Sequence, residues 1–77
     1  MVIEHFRDNS IEAVYKRFSV HGRLLPEGLH YVDSWLDREN LRCFQVMQTR
    51  DFSLFDQWTQ HWDDLVDFQI IAVEKPN

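Results

Sequence analysis

"GLHYVDSWLDRENLRCFQVM", Gly28 to Met47, reads as two strands joined by a turn. The first strand covers about 29–37 and the second about 42–49, with "REN" between them. With Glu39 and Asn40 as a two-residue turn, Leu36 faces Cys43, Ser34 faces Gln45, Val32 faces Met47 and His30 faces Thr49. The other side then carries Trp35 opposite Phe44 and Tyr31 opposite Gln48. Cross-strand neighbours approach to about 5 Å, so each of these pairs is a contact. One more residue in the turn reassigns every face. "EN" lacks the Asn-Gly or Asp-Gly signature of a tight turn, so the other register stays open.

The elements on either side of this hairpin repeat one rhythm. "MVIEHF" (1–6) reads as a strand. A helix follows, with Asn9 and Glu12 spaced as a capping box and Ser10 as the rival cap. Ile11, Val14 and Phe18 recur at helical spacing, and Gly22 is the natural left-handed residue after the last turn. "LPEG" (25–28) has Pro and Gly where a type I turn wants them. Beyond the hairpin, Asp51 or Ser53 starts a second helix. Its Phe52, Phe55, Trp58, Trp62 and Leu65 fall three or four residues apart along one side. "VDFQIIAVE" (66–74) is the last strand, and residues 75–77 are a tail beyond an ordered core of 1–74.

Strand, helix, strand, strand, helix, strand interlock most simply as a ferredoxin-like βαββαβ unit of the α+β class. Right-handed crossovers put both helices on one face of a four-stranded antiparallel sheet. A strand with one wet face alternates apolar and polar residues. Three of these strands break that rule: Met1 to Ile3, Cys43 with Phe44 and Val46 with Met47, and Ile70 to Val73 are apolar runs. Both faces of the sheet therefore want cover, and a homodimer packed sheet to sheet supplies it.

Seventy-seven residues make one domain over 1–77. A chain of this size buries only about 60–65% of its unfolded surface, so the core is small. Three Trp, two Tyr and six Phe in a 44% hydrophobic chain argue against disorder. The lone Cys43 forms no internal disulfide, which fits a reducing cytoplasm. No apolar run approaches a membrane span, and Glu4, His5, Arg7 and Asp8 are foreign to a signal peptide. A formal net charge of −5 argues against nucleic-acid binding, which rests on neutralising phosphates. Asp63, Asp64 and Asp67 read as a solvated helix end.

Chemistry is concentrated in the hairpin. In the register above, His30, Ser34, Cys43 and Gln45 share a face. Functionally they form a polar patch in a pocket, with Gln45 orienting a ligand carbonyl and His30 acting as acid or base. Structurally, Ser34 and Gln45 bond each other and Cys43 is a small buried hydrophobe. Trp58 and Trp62 are core residues or walls for a flat ligand. Trp35 closes a pocket or plugs a dimer seam. Arg23 pairs with an anionic ligand or, by default, with Glu27 or another surface acid. Glu4 and His5 are neighbours on one strand and so face opposite ways. His5, His21, His30 and His61 lack metal-ligand spacing, although His61 and Asp64 lie three apart on the expected second helix; no metal and no cofactor is expected. Gly-rich phosphate loops, Gly-x-Ser-x-Gly and Cys-x-x-Cys do not occur.

"MVIEHFRD", "GRLLPEGLHYVDSWLD", "RCFQVM" and "LFDQW…WDDLVDFQIIAV" resemble a bacterial family of small proteins classed as domain of unknown function 3303. The resemblance covers about residues 1–74 and implies membership of the dimeric α/β-barrel group. That group includes cofactor-independent monooxygenases, isomerases and haem-binding or dehalogenating enzymes, beside non-enzymatic members, so fold does not settle function. It carries over no catalytic residue. The expectation is a cytoplasmic homodimer binding a small apolar or aromatic molecule between sheet and helices, through His30, Ser34, Trp35, Cys43, Gln45, Trp58 and Trp62. The competing expectations are a structural or interaction module without a pocket, and a cofactor-free oxygenase or isomerase.

Overall fold

The computed structural model describes residues 1–76. Its elements are β1 (Val2–Phe6), α1 (Ile11–His21), β2 (His30–Asp37), β3 (Arg42–Gln48), α2 (Leu54–Thr59) and β4 (Val66–Ile70). The four strands form one antiparallel sheet in the order β2-β3-β1-β4. This is the ferredoxin-like α+β arrangement, with β1 and β3 central. Alternation along β1 sends Val2, Glu4 and Phe6 inward, while His5 is exposed on the other face.

The core lies between sheet and helices in two clusters. Val2, Leu29, Phe55, Trp58 and Trp62 make the larger, and Phe6, Cys43 and Val66 the smaller. Trp58 meets Phe68 edge to face, with ring centroids 5.2 Å apart. The helices contribute unequally. Helix α1 has no fully buried residue; Val14 and Ile11 are only half-buried, and Tyr15 and Phe18 are exposed. It is held by two polar ties: Ser10 Oγ donates to the Leu65 carbonyl at 2.7 Å, and Arg17 makes a two-pronged pair with Asp64 at 2.8 Å each.

Several local expectations need correction. Asn9 is no cap; it sits at φ 59, Ser10 holds the N-cap position, and the Ser10 hydroxyl is spent on Leu65. The turn after α1 closes from Pro26 to Leu29, with Gly28 third at φ +94, which is the type II pattern. The hairpin turn spans residues 38–41 with Leu41 left-handed at φ 53, yet Leu36 faces Cys43 and Ser34 faces Gln45 as expected. Helix α2 ends at Thr59, far short of Leu65. The chain nevertheless keeps turning, with Trp62 N–H on Thr59 at 2.9 Å and Leu65 N–H on Trp62 at 3.0 Å, so Trp62 still joins Trp58 in the core while Phe52 is left exposed. Strand β4 stops at Ile70 because β1, its only partner, runs out; Ile71 makes one last bond to the Met1 carbonyl at 2.8 Å. Of the expected tail, Asn77 lies outside the described residues.

Candidate functional site

A cavity of about 120 Å³ lies between α1 and the sheet. Its roof is Val14, Tyr15 and Phe18 from α1, and its side walls include Trp58 and Trp62. Its floor is the inward row of the central strands, Glu4 and Phe6 from β1 with Cys43 and Gln45 from β3, and Ser34 from β2 at the edge. Arg23, just past α1, completes the lining.

Arg23 organises the walls. Its carbonyl accepts both indole N–H groups, from Trp58 at 3.0 Å and Trp62 at 3.1 Å, which fixes the two rings as walls. Its guanidinium lies 3.5 Å from the Tyr31 ring centroid and 4.9 Å from that of Phe18, a cation–π sandwich. Among the described residues it has no salt bridge, so the default expectation of a surface acid as partner does not hold.

Glu4 organises the floor. It is 6% exposed, in the middle of a central strand, and its Oε1 accepts a hydrogen bond from Gln45 Nε2. Burial pushes the Glu4 carboxyl up, and the bonds from Gln45 and Cys43 and the charge of Arg23 pull it only part of the way back. Burial, reinforced by Glu4, pushes the Cys43 thiol up to about 11. Cys43 is therefore a neutral thiol near pH 7 and no nucleophile. Gln45 Oε1 is buried without a hydrogen-bond partner among the described residues.

Five of the seven residues expected at a site, Ser34, Cys43, Gln45, Trp58 and Trp62, line this one cavity. His30 and Trp35 do not. A bulge at Val32 shifts the pairing, so that Tyr31 lies opposite Met47 and His30 opposite Gln48. Tyr31 thereby turns to the helix side, where its hydroxyl meets Ser34 Oγ at 2.6 Å, and His30 turns out to solvent. Ser34 and Gln45 do not bond each other; Ser34 is taken by Tyr31 and Gln45 by Glu4. Trp35 is 56% exposed on the uncovered sheet face. Glu4 and Arg23 are the polar residues missing from the expected set. The inward phase of Val2, Glu4 and Phe6 was the available signal for Glu4. The described residues contain no group of three metal-ligating side chains, and His61 is exposed on the surface.

The family model for a domain of unknown function (DUF3303) matches residues 1–75. The chain belongs to the DUF3303 family. The match takes in every strand and helix, and every residue lining the cavity. No curated protein and no solved structure matches the chain. For this DUF3303 domain the chemistry of the cavity is therefore the ground for a functional reading.

Proposed function

We propose that the protein binds a small organic molecule in the cavity beneath α1. The observation that carries this is the buried Glu4–Gln45 pair among the residues lining a cavity of about 120 Å³, with Gln45 Oε1 left without a partner among the described residues. An unsatisfied buried acceptor costs about 1–3 kcal/mol, so a structure retains one where a ligand or water answers it. Drug-sized ligands need cavities of about 300–1,000 Å³, whereas about 150 Å³ holds benzene. A space of about 120 Å³ lies just below that benchmark, so it admits nothing larger than a single ring. A structural module with its polar hairpin residues satisfying one another is the competing reading. The Tyr31–Ser34 and Glu4–Gln45 bonds agree with it, and the unpartnered Gln45 Oε1 speaks against it. Native mass spectrometry of protein purified from its own host tests the choice: a retained small molecule, lost on unfolding, is expected, and a bare chain at every gentle condition counts against the pocket.

Among the chemistries of the fold group, proton transfer has a base at hand in Glu4. If the ligand is a carbon acid, solvent deuterium enters it with the native chain and not with Glu4→Gln.

The uncovered face of the sheet supports a homodimer packed through it. Trp35, Phe44 and Ile3 form a row across β2, β3 and β1, with Val46 beside them. An apolar row rimmed by Asp37, Arg42 and His5 has the composition of an interface. The single buried, reduced Cys43 supports a reducing cytoplasm as its setting. No helix of the described residues is long and apolar enough to cross a membrane.

A further inference from the structure

The polar groups around the cavity divide into those already committed and those still open. Most of the inward-facing donors are committed. Both indole N–H groups lie on the Arg23 carbonyl, the Tyr31 and Ser34 hydroxyls bond each other, and Gln45 Nε2 lies on Glu4. The Arg23 guanidinium lies against two aromatic faces. The Arg23 guanidinium and the hydroxyl of Tyr15, itself 46% exposed, have no hydrogen-bond acceptor among the described residues; what stays open at the buried floor is acceptor capacity, the Glu4 carboxyl, 6% exposed, beside Gln45, 9% exposed, whose Oε1 has no partner. Buried acceptors of this kind are answered by a donor on the ligand.

Charge narrows the class further. The lining holds one acid, Glu4, and one base, Arg23, so an anion drawn by Arg23 would also meet the Glu4 carboxylate whenever that group is ionised. A ligand cation would share the cavity with Arg23. Size and wall chemistry favour a flat apolar body between Phe18, Trp58 and Trp62. Resting on the pocket reading above, we propose that the ligand is a neutral single-ring compound with one O–H or N–H donor, a phenol or an aromatic amine, and that the Glu4–Gln45 pair accepts its hydrogen bond.

Phenol, anisole and toluene separate the donor from the ring. Toluene and anisole are the more apolar, so the hydrophobic drive alone ranks them above phenol. Quenching of Trp58 and Trp62 fluorescence in the full chain is the readout. Phenol is expected to bind at least about tenfold more tightly than either analogue, the equivalent of about 1.4 kcal/mol. Glu4→Met, close in volume, is expected to lose that preference and rank toluene first, while Trp35→Phe on the outer face keeps the wild-type order. Toluene or anisole binding the native chain as tightly as phenol overturns the donor inference and leaves the pocket standing. Failure of all three to bind at millimolar concentration, with a native near-ultraviolet spectrum, overturns both.

Discussion

Glu4 is the residue on which the pH response of this chain turns. Below its ordinary value of 4.5, Glu4 is protonated in folded and unfolded chains alike. Above 4.5 the unfolded carboxyl ionises first, while burial keeps the folded one protonated. The folded chain then binds more protons, so stability falls with rising pH until the raised folded value is passed. Asp37, Asp64 and Asp67 act in the opposite sense. Held low by Asn40 and Arg42, by Arg17 and by Arg7 respectively, they add stability above 3.8 that is lost as pH falls further. These pairs are exposed and screened, so their share is small. Urea midpoints of wild type and Glu4→Gln should therefore diverge from about pH 4.5 upward in favour of the variant. Parallel curves would show that Glu4 meets no desolvation. Cys43 offers a second check at this scale. With its thiol at about 11, iodoacetamide at pH 8 should label it far more slowly in the native chain than in urea, and equal rates would mean that it is neither buried nor neutral.

Among the elements, the loop from α1 to β2 has least freedom. Gly28 sits at φ +94, and a Cβ there would stand 3.0 Å from Leu54 Cδ1 at the start of α2. Gly28→Ala should cost about 1–2 kcal/mol from the left-handed backbone alone. Gly22, at φ 68 and ψ −158, lies in a region that is essentially glycine-only, so Gly22→Ala pays the larger backbone penalty although nothing lies within 4 Å of its Cβ. Thermal unfolding of the pair is expected to show the larger loss at Gly22, and a larger loss at Gly28 would mean that crowding against Leu54 outweighs backbone strain. The same elements show what the sequence made legible. Order, sheet and the pairing of residues 33–37 with 42–46 followed from hydrophobic rhythm and the hairpin turn. The Val32 bulge did not, because one extra residue in an edge strand leaves no compositional trace, and it moved His30 and Tyr31 to opposite faces. Helix α2 was overread because turns that continue past Thr59 keep the three-to-four spacing of Phe55, Trp58 and Trp62. Glu4 was hidden by type: a carboxylate is assigned to the surface unless its strand phase is weighed above its charge.

For the whole molecule, the two sides of the sheet set different demands. One is covered by α1, α2 and the turns around them; the other leaves Trp35 56% exposed beside Phe44 and Ile3. A stable dimer buries about 800 Å² per partner with aromatic anchors near its centre. Light scattering should therefore find twice the 9.4 kDa chain mass at micromolar concentration. Trp35→Lys should shift it to monomer while the far-ultraviolet spectrum stays native. A wild-type monomer would refute the dimer outright, and an unchanged dimer in the variant would move the interface elsewhere.

Helix α1 roofs the cavity without burying a single residue. Segments held by few apolar contacts open at a fraction of the global unfolding energy. Backbone amides of α1 should thus trade their protons for solvent deuterium well before those of β1 and β3, in a sub-global event that leaves the sheet intact. A roof that lifts on its own would give a ring bound as proposed a way in and out without unfolding the chain, and its residence time would then be a property of this one helix. Uniform exchange across α1 and the sheet would mean that roof and floor open only together.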